Sequence, residues 1–182
     1  MQLIIFGGGR WAQEICKEAN KLTVVKKIII ITNNKNFEIN NFKKKNILLN
    51  KFSIKQLTNK SKIIISNSAN NHFKTLKKII KFKNEILIEK PLFTSLKHLN
   101  LIKSKKNIFF SRIWSFDKYL ELFSNRINKN KIHKVNLYWY DSVNEKRRSQ
   151  IKKHDLKLRY NLDVFSHLMN LIEIITKQNI RM

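Results

Sequence analysis

Glycine and proline, the residues that most often form turns, are almost missing from this chain. Its 182 residues include three glycines and one proline, and the glycines are consecutive at Gly7, Gly8 and Gly9. Turns elsewhere must be formed by other residues, mostly Asn and Lys. Because glycine is confined to one place, directly after a short apolar run, the backbone there needs freedom that a side chain would remove.

Cysteine and long apolar runs are also scarce. The single cysteine, Cys16, excludes an intramolecular disulfide and favours the reducing cytoplasm. No apolar run reaches the length of a membrane span, and the N-terminus lacks the layout of a signal peptide. With 42% hydrophobic residues the chain can form a real core. The sequence therefore predicts a cytoplasmic protein of one domain, or one domain and part of a second.

Arginine is scarce beside lysine, although the formal net charge is +26. Arg makes forked contacts with phosphate and guanine that Lys cannot make. The lysine excess accompanies abundant Asn and Ile, and all three have adenine- and thymine-rich codons. An AT-rich genome would give this composition without any selected polyanion partner, so nucleic acid is not favoured as a partner. The aromatic segment FFSRIWSF, residues 109–116, offers a stacking surface for single strands as an alternative, but packing explains it more simply.

Apolar strands alternate with amphipathic helices along most of the chain. Strands are predicted at residues 2–6, 27–32, 46–49, 61–66, 85–89 and 107–111. Helices are predicted at residues 10–22, 71–81, 95–104 and 117–128. This pattern predicts an α/β protein with a Rossmann-type doubly wound parallel sheet at residues 1–118. An incomplete α/β second domain is predicted at residues 119–182.

The three glycines fit the pattern G-x-G-x-x-A, which ends at Ala12 and lies between the first strand and the first helix. The first glycine of this pattern forms a tight turn, and the second lets the backbone approach a pyrophosphate. The small Ala12 allows the helix to pack close to the strand, and the helix N-terminus favours negative charge. The pattern therefore predicts a dinucleotide site, with a purely structural glycine turn as the alternative.

The end of the second strand bears on the choice of dinucleotide. A carboxylate usually binds the ribose hydroxyls at this place, but the strand ends in Thr32-Asn33-Asn34-Lys35. Together with Arg10 in the glycine loop, the missing carboxylate slightly favours NADP over NAD.

Four segments in the right order carry a family resemblance. In chain order they are IIISNSANNHF at 63–73, EILIEKPLF at 85–93, NKNKIHKVNLYWY at 128–140 and LDVFSHLMNLI at 162–172. They resemble, in that order, a fourth-strand segment that ends in a His, a Glu-Lys-Pro signature, a linker into the second domain, and an Asp-x-x-x-His helix. Together they resemble the glucose-fructose oxidoreductase / inositol dehydrogenase (Gfo/Idh/MocA) family, from residue 1 to about residue 176.

The resemblance implies an NAD(P)-dependent oxidoreductase that moves a hydride to or from a sugar, a polyol or a related small carbonyl compound. It implies catalytic roles for Lys90, Asp163 and His167, and no metal. The residues predicted to bind the cofactor are Gly7, Gly8, Gly9, Arg10, Trp11, Thr32, Asn33, Ser66, Asn67, His72, Glu89, Lys90 and Pro91.

The catalytic residues also have a physical reading of their own. Asp163 and His167 are four residues apart on one helix face, which Asn170 continues. A histidine suits proton transfer from a hydroxyl, and a nearby carboxylate can orient it. Lys90 follows a parallel strand, where doubly wound sheets place ligands. The alternatives are an ordinary surface pair on the helix and a solvated lysine.

Other readings of the polar and buried residues stay open. A metal site of His154, Asp155, Asp163 and His167 is conceivable, although nothing in the spacing fixes its geometry. His72 lies near the cofactor by resemblance, and is otherwise a polar group at a helix start. Cys16 falls on the apolar face of the first helix and is predicted to be core.

The chain departs from the family pattern in its second half. LRYN at 158–161 replaces glycines, Asn170 replaces an aspartate, and one candidate strand at 132–140 stands for a large antiparallel sheet. The sequence therefore predicts a shortened second domain: a truncated product, a fragment, or a form completed by association into a homo-oligomer. A catalytically degenerate dinucleotide-binding protein is the alternative function, and a basic nucleic-acid-binding protein is the third.

Overall fold

Six parallel strands form the main sheet of the computed structural model, which describes residues 1–38, 45–92, 94–128, 131–140, 146–147, 150–151 and 160–177. The strands are β1 Gln2–Phe6, β2 Lys27–Ile31, β3 Lys45–Leu49, β4 Ser61–Ile65, β5 Ile86–Ile88 and β6 Ile108–Phe110. Their order is β3-β2-β1-β4-β5-β6, and each neighbouring pair is parallel. The predicted Rossmann-type doubly wound sheet is confirmed.

Helices and short turns connect these strands and continue beyond them. The α-helices are α1 Arg10–Lys21, α2 Ala69–Ile79, α3 Lys118–Arg126 and α4 Tyr160–Thr176. Single 3-10 turns are formed by Ile54–Gln56, Leu96–Leu101 and Ile113–Phe116, and β7 Lys146–Arg147 pairs antiparallel with β8 Gln150–Ile151. The chain divides into two compact units, Met1–Ser111 and Arg112–Met182. The division into functional domains at residue 118 stays a prediction.

Both faces of the sheet are buried, and isoleucine supplies most of the core. Ile4 and Phe6 of β1 belong to one buried cluster, whereas Leu3 and Ile5 belong to the other. Successive strand residues point to opposite faces, so a strand covered on both sides must be apolar throughout. This requirement explains the unbroken isoleucine runs of the sequence.

Helix α1 packs closely on the sheet because its buried side chains are small. They are Ala12, Cys16 and Ala19, spaced so that they share one face. Cys16 is fully buried, which confirms its predicted place in the core, and burial raises the pKa of its thiol to about 11.

Asparagine amides hold the amino-terminal edge of the sheet, where glycine and proline are absent. Asn84 Nδ2 donates to the carbonyl oxygens of Thr58 and Ser61, at 2.9 and 2.8 Å. Asn107 Nδ2 donates to the Asn84 carbonyl at 2.7 Å. Each amide bonds to backbone carbonyl oxygens of neighbouring segments, so side chains help to fix the turns before β5 and β6.

The α-helix predicted at 95–104 is wrong, because the segment forms the 3-10 turn Leu96–Leu101. His98 stacks on Phe73 at a centroid distance of 3.5 Å, and Leu101, three residues later, packs against the core. A 3-10 turn has three residues per turn and brings both side chains to one side. The apolar spacing of the sequence fits this short turn as well as it fits an α-helix.

The strand predicted at 132–140 is also wrong. The apolar and polar alternation is real: Trp139 is half-buried, whereas Tyr138 and Tyr140 are each 92% exposed. A strand, however, needs a neighbour for its backbone groups, and no described strand pairs with this segment. The only antiparallel pair in the described residues is β7 with β8, which the sequence did not predict.

None of the helices in the described ranges combines the length and the apolar character that a bilayer crossing requires. This finding agrees with the absence of long apolar runs in the sequence.

We expect the Cys16 thiol to react with iodoacetamide far more slowly in the folded chain than in urea at pH 8. Its pKa rises on folding from 9.0 to about 11, so the thiolate is suppressed and the atom is covered. The folded state keeps the proton longer, so the contribution of this thiol to the free energy of unfolding stays constant below pH 9 and falls between pH 9 and about 11. Urea unfolding against pH measures this fall, which Cys16→Ala should lack. Equal labelling rates in both states would contradict the prediction.

Candidate functional site

The candidate site lies at the carboxyl edge of the sheet, where the strand order changes direction. β1 and β4 are neighbours there, and the chain leaves β1 toward β2 and β3 but continues from β4 toward β5 and β6. Gly7 follows β1, and Ser66 and Asn67 follow β4. Ligands of open α/β sheets bind in the crevice at this switch point. The fold thus brings two of the predicted segments to one edge.

The first two glycines are required by space and the third is not. Gly7 has a φ of +151°, and a Cβ there would lie 2.8 Å from the backbone and hydroxyl of Ser66. A Cβ on Gly8 would lie 1.8 Å from Thr32 Oγ1. A Cβ on Gly9 would meet nothing within 4 Å. The turn is therefore squeezed between the ends of β2 and β4, and only a bare backbone fits.

The segment after β2 holds this turn in place. Asn34 Nδ2 donates to the Gly8 carbonyl at 2.5 Å, and the Asn34 backbone N–H donates to Thr32 Oγ1 at 3.0 Å. The Asn34 side-chain oxygen accepts from the Asn36 N–H at 3.0 Å, which forms an Asx turn. Asn33 is exposed beside them. Sequence reasoning missed Asn34, although an Asn that follows a strand end is a known signal for such turns.

The N-terminus of α1 opens directly from the glycine turn. Gly9 is its N-cap, has no side chain to cap the helix, and no Asp or Glu lies in the first turn. Arg10 is exposed and Trp11 is 51% exposed. The first-turn N–H groups and the helix dipole therefore favour an anion at this end, as a pyrophosphate requires.

His72 joins the two loops that follow β4 and β5. It is 1% exposed in α2, with Nδ1 2.9 Å from the Pro91 carbonyl oxygen and Nε2 2.9 Å from the Asn67 carbonyl oxygen. Both partners are acceptors, so a neutral ring donates to one of them and a doubly protonated ring to both. The imidazole is therefore used in bracing the site's loops.

Asn67 carries an acceptor that the protein itself does not satisfy. Its Nδ2 donates to Thr75 Oγ1 at 2.8 Å, whereas its Oδ1 is buried and has no hydrogen-bond partner within the described part of the chain. A buried acceptor without a partner is costly, and ligand hydroxyl or amide groups are donors that would satisfy it. Together with the bare Gly8 backbone, this atom makes the edge fit a dinucleotide.

The Glu-Lys-Pro segment directly follows β5 at the same edge. The Glu89 N–H donates to the Ile65 carbonyl at 2.9 Å, which extends the pairing of β4 and β5, and the Glu89 side chain is 9% exposed. Lys90 is half-buried, Pro91 is buried, and the peptide bond between them is cis. The first unit thus carries all thirteen residues predicted to bind the cofactor.

The predicted Asp-x-x-x-His pair lies in the second unit, on α4. His167 is 9% exposed, and its Nδ1 accepts a hydrogen bond from Trp114 Nε1 at 3.0 Å. The imidazole stacks on Trp139 with ring centroids 5.2 Å apart and planes 3° apart. Asp163 is half-buried one turn earlier. His167 is therefore not part of an ordinary surface pair, because it is buried against the two indoles.

Two further hydrogen bonds connect α4 to the 3-10 turn that contains Trp114. Asn170 Nδ2 donates to Ser115 Oγ at 2.9 Å, and Arg112 pairs with Glu173 at 2.6 Å. The Asn170 side-chain oxygen is buried without a partner among the described residues. Sequence reasoning missed Trp114 as a partner of His167, because the aromatic segment at 109–116 reads as packing.

The metal alternative receives no geometric support from the described ranges. Within them, no three or more His, Cys, Asp or Glu side chains are grouped so that they could hold a metal ion. His154 and Asp155 lie outside the described residues.

Solved structures resemble this fold, although no family model and no curated protein matches the sequence. A myo-inositol dehydrogenase from Lactobacillus casei, in complex with NAD(H) and myo-inositol, has a TM-score of 0.61 and 16% identity over 69% of this chain and 40% of its own. A myo-inositol 2-dehydrogenase from Lactobacillus plantarum has a TM-score of 0.61 and 18% identity over 74% of this chain and 43% of its own. An NAD-binding protein from Listeria innocua has a TM-score of 0.59 and 14% identity over 94% of this chain and 53% of its own.

The similarity defines a class of fold: the Rossmann-type nucleotide-binding domain of inositol dehydrogenases and related oxidoreductases. The fold implied by the resemblance to the Gfo/Idh/MocA family is thereby confirmed. The chain spans about 40% of the length of the inositol dehydrogenases that it matches.

The glycine turn can be tested by three single substitutions to alanine. We expect Gly7→Ala to lower the free energy of unfolding by about 1–3 kcal/mol, because it combines a positive φ with a close contact. Gly8→Ala should also destabilise, since Thr32 must move. Gly9→Ala should cost less than about 1 kcal/mol, as an N-cap change in open space. Urea unfolding measures all three, and equal values for Gly8→Ala and Gly9→Ala would refute the squeezed turn.

The bracing role of His72 has its own test. His72→Leu fills similar space but removes the ring nitrogens that contact the Pro91 and Asn67 carbonyl oxygens, so at least one carbonyl loses its donor and the free energy of unfolding should fall by about 2 kcal/mol. The neighbouring exposed Asn71→Ala on the same helix is the control and should change it by no more than about 0.5 kcal/mol. A loss for His72→Leu as small as that of the control would argue against the brace.

Proposed function

We propose that this chain binds a nicotinamide dinucleotide at the carboxyl edge of its sheet and takes part in oxidising or reducing a sugar, a polyol or a related small carbonyl compound. The squeezed Gly7–Gly8 turn is the observation that carries this proposal. It leads directly into the start of α1, which no side chain caps, and at the same edge of the sheet Asn67 Oδ1 is buried without a partner among the described residues. The fold neighbours include an inositol dehydrogenase with NAD(H) bound, which supports the same cofactor class.

All but one of the predicted cofactor residues have a proposed place along the dinucleotide; Trp11, which is half-exposed in the first turn of α1, is proposed only to lie near the pyrophosphate. The glycine turn and Arg10 would meet the pyrophosphate, and Thr32 and Asn33 the adenosine ribose. Ser66, Asn67, Glu89, Lys90 and Pro91 would line the part nearer the nicotinamide. His72 would act through the two loops that it braces, since both of its ring nitrogens already contact carbonyl oxygens.

We propose NADP as the preferred form of the cofactor. No carboxylate lies at residues 32–35 directly after β2, where one would bind the ribose hydroxyls and repel a 2′-phosphate. Exposed Asn33, Lys35 and Arg10 leave this end neutral or positive.

Asn33→Asp tests this preference. We expect wild-type chain to bind NADPH more tightly than NADH, and Asn33→Asp to shift the ratio toward NADH by roughly tenfold, about 1.4 kcal/mol, because the new carboxylate accepts from ribose hydroxyls and repels phosphate. Fluorescence titration measures both affinities, and Asn36→Asp supplies the same charge three residues later as the control. An unchanged ratio in Asn33→Asp would exclude this residue from the adenosine end.

For catalysis we propose Lys90 of the first unit and Asp163 and His167 of the second as the groups that act on the substrate oxygen. When bound, the nicotinamide takes up or supplies the hydride. In the oxidation direction the substrate hydroxyl also loses a proton, so a side chain at this oxygen must receive it. The assignment rests on the motifs, each of which lies within its own unit.

Turnover of a polyol panel tests the proposed activity. Absorbance of the reduced nicotinamide should change with at least one cyclic or open-chain polyol or sugar. Lys90→Met should reduce that rate by about 100-fold or more while the affinity for NADPH stays within a few fold, because it removes a group at the reacting oxygen. The exposed Lys106→Met is the matched control and should leave the rate unchanged.

The second candidate function is a dinucleotide-binding protein without turnover. It is favoured by the burial of His167 against two indoles. Saturable NADPH binding without turnover of any panel member would support it. We propose the cytoplasm as the location of the protein, because a free thiol such as that of the buried Cys16 stays reduced there.

A further inference from the structure

The hydrogen bond between Trp114 and His167 determines which nitrogen of the imidazole carries a proton. An indole N–H can only donate, so His167 Nδ1 accepts it at 3.0 Å and cannot carry a proton itself. In the neutral ring the proton must then lie on Nε2. In a doubly protonated ring, two N–H groups would face each other and the bond would be lost.

The surroundings of Trp114 keep its indole at this place. The 3-10 turn Ile113–Phe116 and the residue before it are bound to α4 through Arg112–Glu173 and Ser115–Asn170, in addition to Trp114–His167. The three α4 partners are spaced three residues apart and share one helix face. The Trp139 indole stacks on the His167 imidazole with their planes 3° apart, and this contact restricts rotation of the imidazole.

We propose that Trp114 is a positioning residue that holds His167 in its Nε2–H tautomer, so that His167 meets a substrate oxygen as a hydrogen-bond donor and not as the base that removes its proton. The role toward substrate rests on the proposed function, whereas the tautomer rests on the geometry of the second unit alone. In the oxidation direction the hydroxyl proton would then pass to the Asp163 carboxylate, one turn earlier on α4, and a bound nicotinamide would take up the hydride.

The Trp114 hydrogen bond gives His167 a different role from the one expected from the sequence. There, a nearby carboxylate orients the histidine for proton transfer, and a base needs a bare ring nitrogen at the substrate oxygen. The indole imposes the opposite arrangement. A donor histidine polarises a carbonyl oxygen and stabilises negative charge on it without itself gaining a proton.

Nitrogen-15 NMR of chain labelled at histidine measures the tautomer directly. The chain has five histidines, and His167→Gln assigns the signal by its loss. In the wild-type chain at pH 8 we expect a protonated Nε2 and a bare Nδ1 for His167. A protonated Nδ1 in the wild-type chain would overturn the proposal without recourse to any variant.

Trp114→Phe keeps an aromatic ring but removes the donor, so the preference for Nε2–H should fall by roughly tenfold, the equivalent of one hydrogen bond. Trp139→Phe is the matched control, since it alters the stacking ring but leaves the Trp114 donor, and it should keep the tautomer. If Trp114→Phe keeps the wild-type tautomer, the indole does not set it and the proposal fails.

Steady-state kinetics of the Trp114 and Trp139 variants distinguish a failure of the Trp114 role from a failure of the proposed function. With an active substrate, Trp114→Phe should lower kcat by about tenfold with the KM for NADPH unchanged, and Trp139→Phe should lower it less. If the chain binds no NADPH but His167 has the expected tautomer, the proposed function is wrong and the role of Trp114 in setting the tautomer still holds. A normal kcat in Trp114→Phe, together with an altered tautomer, would overturn the donor role of His167.

Discussion

The Gly8 backbone lies so close to Thr32 that no side-chain atom fits between them, and the geometry of the first unit depends on this contact. A Cβ there would lie 1.8 Å from Thr32 Oγ1, and one on Gly7 would press on Ser66. The ends of β2, β1 and β4 can meet in this way only because the parallel register places them at one level. Helix α1 then starts at the sheet edge with its first N–H groups uncapped by a side chain.

The rest of that edge is built from amides and one imidazole. Asn34 holds the glycine turn from the β2 side, and His72 connects the loops after β4 and β5. Asparagine does here what glycine and proline do in most chains, because its side chain can imitate a backbone turn and bond to nearby carbonyls. A composition rich in Asn and Lys is therefore compatible with a well-defined site.

The first unit could be predicted from the sequence to a large extent, whereas of the second unit only the helices α3 and α4 could. Continuous isoleucine strands and the glycine pattern are local signals, and each has one structural solution in an alternating strand and helix chain. The 132–140 segment shows why local patterns fail: its alternation is present, but strand formation depends on a partner elsewhere. The contact of Trp114 with His167 joins residues 53 positions apart, and no spacing rule predicts it. At 96–101 the sequence predicts an α-helix and the structure has a 3-10 turn. The contacts of His98 and Leu101 fit both geometries, so the sequence pattern could not distinguish them.

A fluorescence titration of the chain with NADPH at near-physiological salt shows whether the glycine turn is a dinucleotide site. A chain of net charge +26 also attracts any polyanion, so the binding must persist as salt rises, as nonspecific attraction does not. The account predicts saturable binding by the wild-type chain and by Gly9→Ala, and its loss in Gly8→Ala. Absence of binding by the wild-type chain, or equal binding by Gly8→Ala, would contradict it.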